Sequence, residues 1–184
     1  MTTLLLARHG ETDWNRDGRW QGHADPPLND AGRAQARALA ASLAGEPLDV
    51  VYSSDLLRAR ETAEILAAAL ALPLVDDPGL REMDVGSWSG LTRAEIGDLP
   101  YDGETKDAHR ARVAAAVRRI ARAHPEGRVL VVTHGGSVRR IHELVYGEPE
   151  TVLGNCELVR IPYDLLGPAA RPVQEPAVGK DEIR

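Results

Sequence analysis

The sequence predicts an α/β domain with a mainly parallel central sheet flanked by helices in a three-layer sandwich. Three observations carry that expectation. Short apolar runs alternate with segments of helical periodicity along the chain, the pattern of βα units. Two runs, Leu4-Leu5-Leu6-Ala7 and Val129-Leu130-Val131-Val132, are continuously apolar, as strands covered on both faces are. Both stop at polar, glycine-containing turns, Arg8-His9-Gly10 and Thr133-His134-Gly135-Gly136. In open α/β sheets, the loops at the carboxyl ends of the strands are where ligands bind.

The first strand covers about residues 3–8 and enters a long polar loop that ends at Pro27. Asn29 and Asp30 can cap a helix over residues 31–43, whose Ala36, Leu39, Ala40 and Leu43 share one face. Gly45 stops it and Pro47 prevents its continuation. Val50-Val51-Tyr52 is a second strand, ending at Ser53-Ser54-Asp55. Ser54 is expected to cap a helix over about residues 56–70, with a stripe of Ala59, Ala63, Leu66, Ala67 and Leu70. A third strand is expected over residues 73–75. Gly86 and Gly90 keep residues 80–92 out of a helix, so turns are expected there. A short helix over residues 92–99 and a break over 100–103 follow. Thr105 begins a long helix to about His124, with Val113, Ala116, Val117, Ile120 and Ala121 in register. After the Pro125-Glu126-Gly127 turn come a strand over 129–133, a helix over 137–146 and a last strand over 157–161. The folded domain is expected to span residues 1–166, with 167–184, broken by Pro168, Pro172 and Pro176, as a loose tail.

The chain of 184 residues is long enough to bury a substantial core; with many Ala and Leu and no Phe, that core is expected to be Leu and Val under alanine-rich helices. A net charge of -6 argues against broad attraction to nucleic acid or to acidic membranes, so an anionic ligand must be held by a local basic cluster. One cysteine, Cys156, rules out an internal disulfide and favours a reducing compartment. It has no activating neighbours and is read as a small buried filler. No apolar run approaches the roughly 20 residues of a membrane span, and no secretory signal is expected, so the reading is cytoplasmic.

Chemistry concentrates at the strand ends. Arg8 offers a planar fork of donors to phosphate oxygens, and a neutral imidazole such as His9 can attack phosphorus. If the two strands are central and parallel, His9 and His134 emerge on the same edge of the sheet. Arg58 follows a third strand end in the first turn of a helix, where free N–H groups favour anions. Arg8, Arg58 and the two imidazoles can therefore converge on one anion. His23, His109, His124 and His142 are read as surface or helix-end residues without a role. No metal pair is expected from His134 and His142, since one follows a strand and the other lies mid-helix.

Five stretches carry a resemblance: Arg8-His9-Gly10-Glu11-Thr12 with Trp14-Asn15; Gln21-Gly22 with Asp25 and Pro27-Leu28; Ser53-Ser54-Asp55-Leu56 with Arg58-Ala59 and Glu61-Thr62; Leu80-Arg81-Glu82 with Gly86 and Trp88-Ser89-Gly90; and Val132-Thr133-His134-Gly135-Gly136. In this order and spacing the chain resembles the histidine phosphatase superfamily in its phosphoglycerate-mutase-like branch. The resemblance implies the phosphoglycerate-mutase-like fold and a phosphomonoesterase acting on a small phosphorylated metabolite. It implies His9 as the nucleophile that becomes phosphorylated, and Arg8, Arg58 and His134 as the phosphate pocket. Asn15 matches a further phosphate contact, with Gln21, Gly22 and Gly135 beside it, and Glu82 matches the proton donor to the leaving alcohol. No metal or other cofactor is implied, and the oligomeric state is left open, a homodimer among the states allowed.

Two alternatives stand beside the phosphatase. A phosphoglycerate mutase shares all of these groups but usually carries a long insertion after the Glu-containing motif, which holds an intermediate and keeps water away. Here residues 91–108 form only a short connection, with Arg93 and Lys106 as the basic residues of 92–107. The other alternative is a catalytically quiet phosphate-binding module on the same fold. Against it, every residue that the mechanism needs is present.

Overall fold

The computed structural model describes residues 2–147 and 153–162. Its centre is a five-stranded sheet of β1 (Thr3–Arg8), β2 (Val50–Ser53), β3 (Leu74–Asp76), β4 (Arg128–Thr133) and β5 (Leu158–Pro162), in the order β3-β2-β4-β1-β5. All neighbours are parallel except β5, which runs antiparallel to β1. Strand alternation sorts the core into two clusters. On one face Leu4, Leu6, Val129 and Val131 pack with Val113, Val117 and Ile120 of α5 (Lys106–Ala123) and with Val138, Ile141 and Val145 of α6 (Gly135–Tyr146). On the other, Leu5, Ala7, Val51, Leu130 and Val132 pack with Leu39 and Ala40 of α2 (Asp30–Ser42) and with Ala59, Ala63 and Leu66 of α3 (Leu57–Leu70). These are the three expected layers. No described helix is long and apolar enough to cross a membrane.

The register positions the chemistry. Arg8 pairs with Thr133, and Ser53 with Val132. His9, Ser54 and His134 therefore leave three adjacent strands at one edge of the sheet. Backbone packing fixes the height of the first of these turns. A Cβ on Gly32 would lie 2.1 Å from Glu11 O, and one on Gly10 would lie 2.6 Å from Gly32 O. Only two glycines allow the first turn of α2 to lie directly on the loop after His9.

Several expectations need correction. The polar loop after β1 contains a short helix, α1 (Asp13–Arg16), closed by a reciprocal capping box between Thr12 and Asn15. Ser54 does not cap α3: the N-cap is Leu56, which has no side-chain cap bond, and the Ser54 hydroxyl lies against His134. The expected helix over 92–99 is the single turn α4 (Arg93–Ile96), ended by Gly97 at φ 48. The α6 helix begins two residues earlier than expected, directly after His134. The segment over 80–92 is non-α as expected, with a 3-10 turn at Gly86–Trp88. The end of the expected domain at 166 and the expected tail over 167–184 lie outside the described residues.

Candidate active site

His9 follows β1 and is buried. Its Nδ1 lies 2.7 Å from the carbonyl oxygen of Gly10, which has no hydrogen to give, so Nδ1 carries the proton and Nε2 keeps the lone pair. The Nε of Arg58 donates to that Nε2 at 3.3 Å. Burial first, then the cations Arg58 and Arg8, hold His9 well below the usual imidazole range. The ring is therefore neutral and basic at Nε2.

Arg58 enters from the first turn of α3 and is buried to 1% exposure. Its NH1 donates to Ala24 O at 2.8 Å and its NH2 to Gly22 O at 2.9 Å, so all three edges of the guanidinium are held. Burial pushes its pKa down to about 10, which leaves it charged at neutral pH. Gly22 has φ 49, and a Cβ there would lie 2.6 Å from Val85 Cγ2. Its contribution is thus a carbonyl that holds Arg58. The NH1 of Arg8 donates to Leu153 O at 2.7 Å, while its Nε is buried without a partner. Burial lowers the pKa of Arg8 as well.

His134 follows β4 and is fully buried, its ring edge-on to His9 with centroids 5.2 Å apart. Its Nε2 lies 2.9 Å from Ser54 Oγ, and its Nδ1 is buried without a partner. Burial, followed by Arg58, holds its pKa well below the usual range. Asn15 turns its Oδ1 inward, accepting from Thr12 N at 3.2 Å and Asn155 Nδ2 at 3.3 Å. The Oε1 of Gln21 accepts from Thr12 Oγ1 at 3.2 Å. Asn155 also donates to His9 O at 3.0 Å, tying the turn before β5 to the end of β1.

Glu82 lies on the loop between β3 and α4. Its Oε1 accepts from Met83 N and its Oε2 from Gly136 N, each at 2.9 Å. Its backbone carbonyl accepts from Arg112 NH2 at 3.0 Å and contacts His23 Nε2 at 2.9 Å. Both polar ends of the residue are therefore held. Arg8, His9, Asn15, Gln21, Gly22, Arg58, Glu82 and Gly135 all line one cleft of about 600 Å³. Of the expected residues, only His134 stands behind the wall, against His9. Among the described residues, no group of three His, Cys, Asp or Glu side chains is placed to hold a metal ion.

One expected bystander, His109, is not on the surface, and another, His23, is about a third exposed but touches the site loop. His109 is buried at the cleft wall, 3.8 Å from Glu82 Oε1, and His23 reaches the Glu82 carbonyl. His109 stands four residues before Val113, on the apolar face that the periodicity marks as inward. The helix-end His124 lies 3.0 Å from Tyr52 OH through its Nε2. The Cys156 thiol is largely buried, and burial pushes its pKa up to about 12, as suits a filler.

Such an arrangement suits attack on an anionic centre: a neutral nucleophilic imidazole, one buried and one half-buried cation beside it and a carboxyl lining the same cleft. A sequence profile described as the histidine phosphatase superfamily (branch 1) matches residues 4–171. Phosphoglycerate mutase-like protein 4 of Arabidopsis thaliana is 40% identical over 159 residues, covering 76% of this chain and 69% of that protein. The metal-independent phosphoserine phosphatase of Arabidopsis thaliana is 39% identical over 161 residues, covering 77% and 68%. Among solved structures, a mycobacterial glucosyl-3-phosphoglycerate phosphatase complexed with VO3 superposes with a TM-score of 0.82 at 30% identity, covering 89% of this chain and 93% of that one.

Proposed function

The chain belongs to the histidine phosphatase superfamily (branch 1), and on that premise we propose how it hydrolyses phosphomonoesters: through a phosphohistidine on His9, with Glu82 as proton donor and without a metal. The observation that carries this reading is the protonation state of His9. Its proton is committed to Gly10 O, and its Nε2 lone pair, which accepts a long bond from Arg58 Nε at 3.3 Å, belongs to the cleft that Glu82 also lines.

In the first half-reaction His9 Nε2 attacks phosphorus. The P–N bond forms, the bond to the alcohol oxygen breaks, and the proton of the Glu82 carboxyl passes to that oxygen. Arg8 and Arg58 balance the charge on the transferring phosphoryl oxygens, the main task in such a reaction. Asn15, through its amide nitrogen, and Gly135, at the start of α6, add donors on the same side. His134 supports the ring of His9 from behind. In the second half-reaction water attacks the phosphohistidine, its proton passes to the Glu82 carboxylate, and the P–N electron pair returns to Nε2.

The short connection between Gly90 and α5, which holds only the one-turn α4, supports hydrolysis over a mutase reaction, because it provides no long cover to keep water out. A small phosphorylated metabolite in a reducing, cytoplasmic setting is the matching context, and the single cysteine agrees with it. The direct test is a rapid quench with labelled ester. An acid-labile phosphoramidate on His9 is expected, and His9→Ala should abolish both label and turnover. Turnover on p-nitrophenyl phosphate should persist in EDTA. Fast isomerisation of 3-phosphoglycerate with catalytic 2,3-bisphosphoglycerate, without phosphate release, would instead establish the mutase.

A further inference from the structure

Behind Glu82 stands a buried histidine that the reaction above does not use. His109 is 2% exposed, and its Nε2 lies 3.0 Å from Ser137 Oγ and 3.8 Å from Glu82 Oε1. Ser137 has one hydroxyl hydrogen, and it donates that hydrogen to Arg81 O at 3.1 Å. The hydroxyl must therefore accept from His109, which places the imidazole proton on Nε2 and aims that N–H between Ser137 and the Glu82 carboxyl. Burial outweighs the opposing pull of Glu82 and holds His109 below the usual imidazole range, so the ring acts as a neutral donor. The other charged groups facing it are Arg112 and Glu104 on the α5 side and Arg140 on α6.

The rest of α5 holds the same loop. One turn beyond His109, Arg112 donates to the carbonyl oxygens of Gly79, Arg81 and Glu82, at 3.2, 2.9 and 3.0 Å, and it pairs with Glu104. The Glu82 backbone is thus fixed by Arg112, and the space beside its carboxyl is fixed by His109. At 3.8 Å the His109 contact is a charge–dipole contact. It strengthens as charge develops on Glu82.

We propose that His109 is a positioning residue for Glu82, its Nε2–H stabilising the carboxylate that remains when Glu82 gives its proton to the leaving alcohol. The inference rests on the reading of Glu82 as proton donor. In the step it assists, the P–O bond breaks and the proton passes from Glu82 to the alcohol oxygen. The negative charge stays on the carboxyl that His109 faces. When water returns a proton to Glu82 in the second half-reaction, the contact relaxes. Because the N–H gains more from a carboxylate than from a carboxylic acid, it favours the transition state over the bound substrate.

The test compares kcat/KM for an alkyl phosphate and for p-nitrophenyl phosphate, a parameter that reports the steps through alcohol release. His109→Ala should lose about fivefold on the alkyl ester, less than the rate equivalent of a full hydrogen bond to a charged group because the contact is longer than one, and less than about twofold on the aryl ester. His109→Gln, which keeps an N–H donor, should recover most of the alkyl activity. Equal losses on both esters, or no loss on either, would overturn the proposal. Glu82→Gln run in parallel separates the two readings. If it is not selective for the alkyl ester, the assignment of the proton donor fails; if it is selective and His109→Ala is not, only the role of His109 fails. Should His109→Ala not fold, His109→Phe keeps a ring of similar bulk without the N–H donor and should show the same selective loss. A uniform loss in that variant would count against the proposal.

Discussion

Replacing Arg58 by lysine keeps the charge and removes the fork, so it separates the two contributions of this residue. The guanidinium donates in three directions, to His9 Nε2 at 3.3 Å, Ala24 O at 2.8 Å and Gly22 O at 2.9 Å. A lysine has a single nitrogen and cannot span both carbonyls and the imidazole. Each buried carbonyl left without a donor costs about 1–3 kcal/mol. With one or both carbonyls orphaned, Arg58→Lys should destabilise the fold by about 2–4 kcal/mol. The rate should fall by about 10²–10³, the usual loss when one preorganised donor is removed from developing charge. Urea unfolding measures the first quantity, and kcat/KM on p-nitrophenyl phosphate measures the second. A lysine variant within about 0.5 kcal/mol and a fewfold in rate of the parent would refute the reasoning, since charge alone would then suffice.

Three further outcomes are expected. A Cβ on Gly136 would lie 2.3 Å from Glu82 Oε1, so Gly136→Ala should push the carboxyl off its N–H donors. It should lower kcat/KM on alkyl phosphates by at least about tenfold while thermal unfolding is unchanged or raised by the better helix former; undiminished alkyl turnover would refute this. His9 and His134 are both held below the ordinary value of 6.5, so the unfolded chain binds protons that the folded chain refuses. Their contribution to stability is complete above about pH 6.5 and is lost as pH falls below it, by about 1.4 kcal/mol per pH unit for each histidine; a urea midpoint that is flat or rises between pH 6.5 and 5.5 would contradict the sign. Gly32→Ala puts a Cβ 2.1 Å from the Glu11 carbonyl oxygen, against backbone that cannot rotate away. It should destabilise by more than about 2 kcal/mol despite the helical position, and a raised melting temperature would show that the close approach is unimportant.

What was legible in the sequence follows the range of the interactions. The strands β1 and β4 could be read because a doubly covered strand is apolar without interruption, and the inward face of α5 because Val113, Val117 and Ile120 repeat with the helical period. Arg8, His9, Arg58 and Glu82 stood in recognisable order and line one cleft. The same periodicity already placed His109 inward, four residues before Val113, but residue chemistry suggested the surface. Ser54 reads locally as a helix cap, whereas its partner is an imidazole 80 residues away in sequence. Asn155 reaches His9 only because β5 runs antiparallel to β1, and strand direction leaves no local signature. The α1 helix is one turn long, too short for any periodicity, although Thr12 and Asn15 carried the spacing of its capping box.

The partners of Arg8 and Arg58 bear on turnover as well as on binding. Arg58 is buried and Arg8 half-buried, and the hydrogen bonds that hold them go to carbonyl oxygens and an imidazole, while the carboxylates that act on them, Glu82 on both, Asp25 on Arg58 and Glu157 on Arg8, do so without a direct hydrogen bond. An anion in the cleft would meet guanidinium donors not yet paired with a carboxylate, whether it arrives attached to an alcohol or alone. Free orthophosphate therefore competes for the pocket from the moment it is formed. On the proposed reaction, added phosphate is expected to raise the apparent KM while leaving kcat unchanged.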